Sequence, residues 1–124
     1  MSVADDSRLS LAKALRELAD GSSEAALRSA LSRSYYSIYH VANALLGKVD
    51  HHDIAERLAK IDPELQAKVE KLKQLRSQAD YDPKFVEKEY GSLEEFQVDA
   101  RKRVDEGLTV FNRILGEFER NSKV

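Results

Sequence analysis

Acidic and basic residues nearly cancel in this chain of 124 residues, which is 34% charged with a formal net charge of −2. No global field draws it to nucleic acid or to an anionic membrane, so any such contact needs a local patch. The absence of Cys excludes a disulfide scaffold, a thiolate metal site and a cysteine nucleophile. The acidic start around Asp5 and Asp6 lacks the apolar core of a signal peptide. No apolar run approaches the ~20 residues of a spanning helix. A cytoplasmic protein without membrane contact is expected, folded as a single domain over residues 1–124.

Two prolines and five glycines interrupt the chain, and apolar residues recur at a spacing near 3.6 almost throughout, with no segment of period two. The fold class is therefore all-α. The first helix starts near Asp6 or Ser7, either able to cap free amides, with Leu11, Leu15 and Leu18 inward and Leu9 and Ala12 beside them. Residues 20–23 end it, Gly21 suiting the position after a helix. Ser22 or Ser23 caps the second helix, which carries Glu24 in its first turn, reaches about Leu46 and stops at Gly47.

Asp50 and Asp53 bracket His51 and His52 in a capping arrangement before a short helix to about Ala59. Asp62 followed by Pro63 is a helix start. The helix from Pro63 to about Ala79 turns Leu65, Val69, Leu72, Leu75 and Ala79 inward, and Arg76 falls about 40° from Leu72 on the same wheel. Pro83 breaks that helix by disfavouring helical geometry at Asp82, and residues 84–91 are of mixed character. Ser92 and Glu95 have the spacing of a capping box before a long helix with Phe96, Ala100, Val104, Gly107, Leu108, Phe111, Leu115 and Phe118 on one stripe. The architecture expected is an up-and-down bundle of four main helices plus one short helix.

The second helix has two distinctive faces. Leu27, Leu31, Ser34, Tyr35, Ile38, Ala42 and Leu45 share one stripe; Ser29, Arg33, Tyr36, His40 and Asn43 lie nearly opposite. A surface helix ordinarily turns Lys and Glu to water. An aromatic ring, an imidazole, a guanidinium and an amide instead suit specific contacts, in a site or a dimer interface. Arg76, inside or beside an apolar sector, needs a partner; Asp80, four residues on, supplies one, whereas a groove would let the planar guanidinium meet phosphate. His51 and His52 point about 100° apart on a helix and rarely share one ion, so solvated or capping roles fit them. Arg101, Lys102 and Arg103 could touch phosphate, but beside Asp99, Asp105 and Glu106 they fit the solvated side of a charged helix. The sequence implies no metal and no cofactor.

Arg33, Tyr35, Tyr36, Tyr39, His40 and the Ala44, Leu45, Leu46 run, together with Leu75, Arg76, Ala79, Asp80 and Tyr81, resemble the paired signature of HEPN domains (higher eukaryotes and prokaryotes nucleotide-binding), closest to the small stand-alone bacterial and archaeal branch. The order of helices agrees along nearly the whole chain. The resemblance implies a helical bundle, commonly a homodimer, often encoded beside a minimal nucleotidyltransferase in a toxin–antitoxin or related pair. Active members are metal-independent ribonucleases that use an Arg followed closely by a His. Arg76 matches that Arg, but Asp80, Tyr81 and Asp82 occupy the following window and no His follows His52. Without a proton carrier there, RNA cleavage lacks its general acid–base. Tyr81 is a poor base, with a reference pKa of about 10, and His40 would have to enter from the neighbouring helix. The reading is a module that binds a nucleotidyltransferase partner, nucleotide or RNA, without catalysis, in a groove of Arg33, Tyr36, His40, Asn43, Arg76, Asp80 and Tyr81. The alternatives are an endoribonuclease toxin using Arg76 with His40 or Tyr81, and a purely structural dimerisation bundle.

Overall fold

Ser23 Oγ accepts the amide of Ala26 at 3.1 Å, and Glu24 follows in the first turn. A side-chain oxygen and a negative charge thus meet the free donors that open α1, Glu24–Leu46. The structure is a computed structural model describing residues 6, 8–13, 16 and 23–122. Its remaining elements are α2 (Ile54–Ala59), α3 (Pro63–Tyr81), α4 (Phe85–Glu89) and α5 (Leu93–Ser122). Residues 8–13 are helical ahead of them, and the described residues contain no strand. The chain is an all-α helical bundle. Of the first helix, Asp6 is already helical and Leu11 is buried; Ser7, Leu15, Leu18 and the turn at residues 20–22 lie outside the described residues.

The remaining boundaries follow local chemistry. Asp62 Oδ1 accepts the amide of Glu64 at 3.0 Å with Pro63 at the first helical position of α3. At α5, Ser92 Oγ accepts from the Glu95 amide, while the Glu95 carboxylate reaches back to the amide of Gly91 at 2.8 Å. This capping box closes one residue farther upstream than the standard pattern. The segment 84–91 contains the five-residue α4, whose Phe85 and Val86 are buried.

Arg28 fixes the direction of the bundle. Its Nη1 donates to the carbonyls of Ala79 and Asp82 at 2.7 and 3.0 Å, and its Nη2 to Pro83 at 3.1 Å. The guanidinium also lies over the Phe85 ring. The start of α1 therefore touches the end of α3, and the two helices are antiparallel. Arg113 of α5 pairs with Asp62 at the start of α3, and Phe96 near the start of α5 packs on Phe85 after α3, so α5 is antiparallel to α3 and runs the same way as α1.

Parallel neighbours this close need a small residue between them. A Cβ on Gly107 would overlap Ser34 Oγ and crowd Leu72 Cδ2 at 3.3 Å. Ser34 is fully buried and its hydroxyl has no hydrogen-bond partner among the described residues, so the contact is steric. The inward residues expected of α1 and α3 are buried, apart from a half-buried Leu45. On α5 the buried set adds Val110 and Ile114, while Phe118 is 40% exposed. Phe118 keeps the expected face but lies near the end of α5, about 7.5 Å past Arg113, which pairs with Asp62, the residue that caps α3.

Alanine is the better helix former by about 1 kcal/mol, so Gly116→Ala, whose Cβ meets nothing within 4 Å among the described residues, should raise stability in chemical denaturation by up to that amount. Gly107→Ala should lower it by about 1–3 kcal/mol through overpacking, and adding Ser34→Ala should recover part of the loss. Equal effects at the two glycines would show that Ser34 does not set the α1–α5 distance.

Candidate functional site

Tyr35 is the centre of a ring cluster at the middle of α1. Its side chain is completely buried, and burial pushes its phenol up to about 12 against the lowering effect of Arg76. The Arg76 guanidinium lies over two phenol faces at once, 5.1 Å from the centroids of Tyr35 and of Tyr36. Its Nη1 pairs with Asp80 Oδ2 at 3.5 Å, one turn along α3. The pairing expected from the i, i+4 spacing is thus present, and Asp80 also accepts a bond from Ser32 of α1. Arg76 is 8% exposed, and its Nε is buried without a hydrogen-bond partner among the described residues. Two aromatic faces supply much of what water would otherwise give this cation.

The second partner of Tyr35 was not legible in the sequence. Its hydroxyl lies 2.7 Å from His51 Nδ1, and the His51 ring stacks on Tyr39 with centroids 3.7 Å apart and meets Tyr36 edge-on at 5.6 Å. His51, expected to be solvated or capping, is half-buried. The loop after α1 carries it there. Gly47 has φ +101° and ψ 158°, a region open essentially to glycine alone, and turns the chain back. Asn43 Oδ1 then takes the Val49 amide at 2.8 Å, Asp50 Oδ1 takes those of His52 and Asp53, and Lys73 of α3 donates to the His51 carbonyl. Burial, then Arg76, Lys73 and His40, hold the His51 pKa below its ordinary 6.5 against Asp50. A protonated phenol beside a neutral imidazole donates its O–H to Nδ1, leaving the ring proton on Nε2.

The residues expected to share one groove are spread along α1. Ser32, which meets Asp80, and Asn43 are separated by about 16 Å of helix. A groove of about 570 Å³ lies at the far end, lined by Tyr39, His40, Asn43, Ala44, Lys48, Val49 and Asp50. Of the expected set it takes His40 and Asn43. His40 is exposed and stacks on Tyr36 with centroids 6.0 Å apart, whereas the Asn43 amide is used on Val49 and on the carbonyl of Tyr39. Tyr36 and Arg76 reach the groove only through the ring stack. Arg33 Nε bonds Ser29 one turn back, and Tyr81, 77% exposed at the end of α3, is not among the groove residues. Arg103 pairs with Asp99 and Glu106, so this part of the basic run is neutralised within α5. No group of three or more His, Asp and Glu is placed to hold a metal ion among the described residues, and no described helix is long and apolar enough to cross a membrane.

Comparison of the chain with protein-family models, with characterised proteins and with solved structures finds no match.

Arg76→Ala should cost about 2 kcal/mol in chemical denaturation, from lost stem packing and lost contact with two phenol faces. Tyr81→Ala should stay within about 0.5 kcal/mol. A neutral Arg76→Ala would mean that the guanidinium contributes nothing to holding α3 against α1.

Proposed function

We propose that the chain is a HEPN-like helical module that binds nucleotide or RNA without cleaving it, works as a homodimer, and pairs with a minimal nucleotidyltransferase. The observation that carries this reading is the groove beside Tyr39 and His40, where flat rings adjoin Lys48. Rings give a base a face to stack on, and an ammonium gives its phosphate a counter-charge. The polar–aromatic face of α1 and the Arg76, Asp80 pair are the same residues that carry the family resemblance.

Arg76 supports binding over cleavage. Its guanidinium is taken up by two phenol faces and a carboxylate, which leaves little of it to meet a phosphoryl oxygen. A second reading, a ribonuclease, has one observation in its favour: His51 comes from the loop to share Tyr35 and Tyr36 with Arg76. Its Nδ1 is occupied by Tyr35, however, so a general base there would need the opposite tautomer.

Anisotropy of a labelled single-stranded RNA tests the leading reading. His40→Ala should weaken binding about tenfold through lost stacking, and Lys48→Ala should reduce the salt slope by about 1. Absence of binding to RNA and to mononucleotides would remove the reading. RNA cleavage by the wild type that Arg76→Ala and His51→Gln both abolish would establish the second one.

A further inference from the structure

His51 sits as a guest would. Its ring lies parallel to Tyr39, tilted by 14° at 3.7 Å, closes edge-on against Tyr36, and takes a hydrogen bond from the Tyr35 hydroxyl. A face to stack on, an edge to close the side and one polar contact are what a planar heteroaromatic ring requires. The seat belongs to α1, whereas its occupant comes from the short segment between Val49, held by Asn43, and α2. The same Tyr39 lines the groove.

We infer that His51 is an internal plug, seated on Tyr39 while neutral and expelled when protonated, and that the vacated seat accepts a nucleobase. The seating stands on the ring geometry, its response to pH on the charges around the ring, and the ligand on the function proposed above. The groups facing His51 fix the sign. From α3 come the Arg76 guanidinium and the Lys73 ammonium, from α1 His40 and the phenols of Tyr35, Tyr36 and Tyr39, and from the loop the Asp50 carboxylate. Asp50 and the ring faces favour an imidazolium, but burial and the neighbouring cations outweigh them. The seated ring holds its proton less well than a free one, so the seated form keeps its full stability above pH 6.5. It loses that stability as the pH falls from 6.5 through the depressed value of the seated ring. Protonation also reverses the Tyr35 contact, because Nδ1–H then donates and the hydroxyl must turn from donor to acceptor.

NMR of the ligand-free protein tests the plug. His51 resonances, assigned with His51→Gln, should titrate below pH 6.5. Ring-to-ring contacts between His51 and Tyr39 should vanish over the same range while α3 and α5 keep their shifts. Contacts that persist with His51 protonated would overturn the proposal. For the seat, His51→Ala should bind a mononucleotide more tightly than wild type at neutral pH, with a smaller gain on acidification. Tyr35→Phe, which keeps the ring and removes the hydroxyl, should shift in the same direction. Weaker binding by both variants would overturn the seat. A plug that moves in a protein that binds no nucleotide would instead remove the proposed function.

Discussion

A phenol with no exposed surface must still satisfy its hydroxyl, since a buried donor without a partner costs about 1–3 kcal/mol. At Tyr35 that requirement organises the middle of the molecule. The hydroxyl is met by His51, sixteen positions along the chain, and the ring face by Arg76 from α3. Bringing His51 to that point requires the chain to reverse at Gly47 and to be held by Asn43, Asp50 and Lys73. One oxygen on the core face of α1 thus decides the path of the following loop and gives a cation a place inside an apolar sector.

Much of the fold was readable because its determinants are local. The inward stripes of α1 and α3, the Asp62 and Pro63 start, the Ser92 and Glu95 cap and the Arg76–Asp80 pair each depend on residues within about one turn of one another. What escaped the sequence depends on contacts made only after docking. Adjacent histidines look alike in the sequence, yet His51 is half-buried among rings while His52 is exposed. Gly47 was legible as a helix stop, but not as the hinge that returns His51 to α1. Phe118 obeys the period of its stripe and is nevertheless 40% exposed near the end of α5, a degree of burial that periodicity does not encode.

The candidate site was half legible for the same reason. A polar–aromatic stripe on one helix can be read from spacing; which members face one cavity cannot. Of the expected cluster, Arg76 and Asp80 bind α3 to α1, while His40 and Asn43 line the open groove, where Tyr39 and Lys48 join them. Arg76 is only 8% exposed and packed between two phenol faces, whereas the exposed His40 lies at the groove end of α1.

Arg28 shows where the information for a turn can reside. It bonds to the carbonyls of residues 79, 82 and 83, and carbonyls are indifferent to the side chains they accompany. The path of that turn therefore depends in part on a residue more than fifty positions upstream. A substitution at position 28 would read in the sequence as a change on the second turn of a helix. In the molecule it is a turn mutation, acting on a segment it never adjoins in the chain.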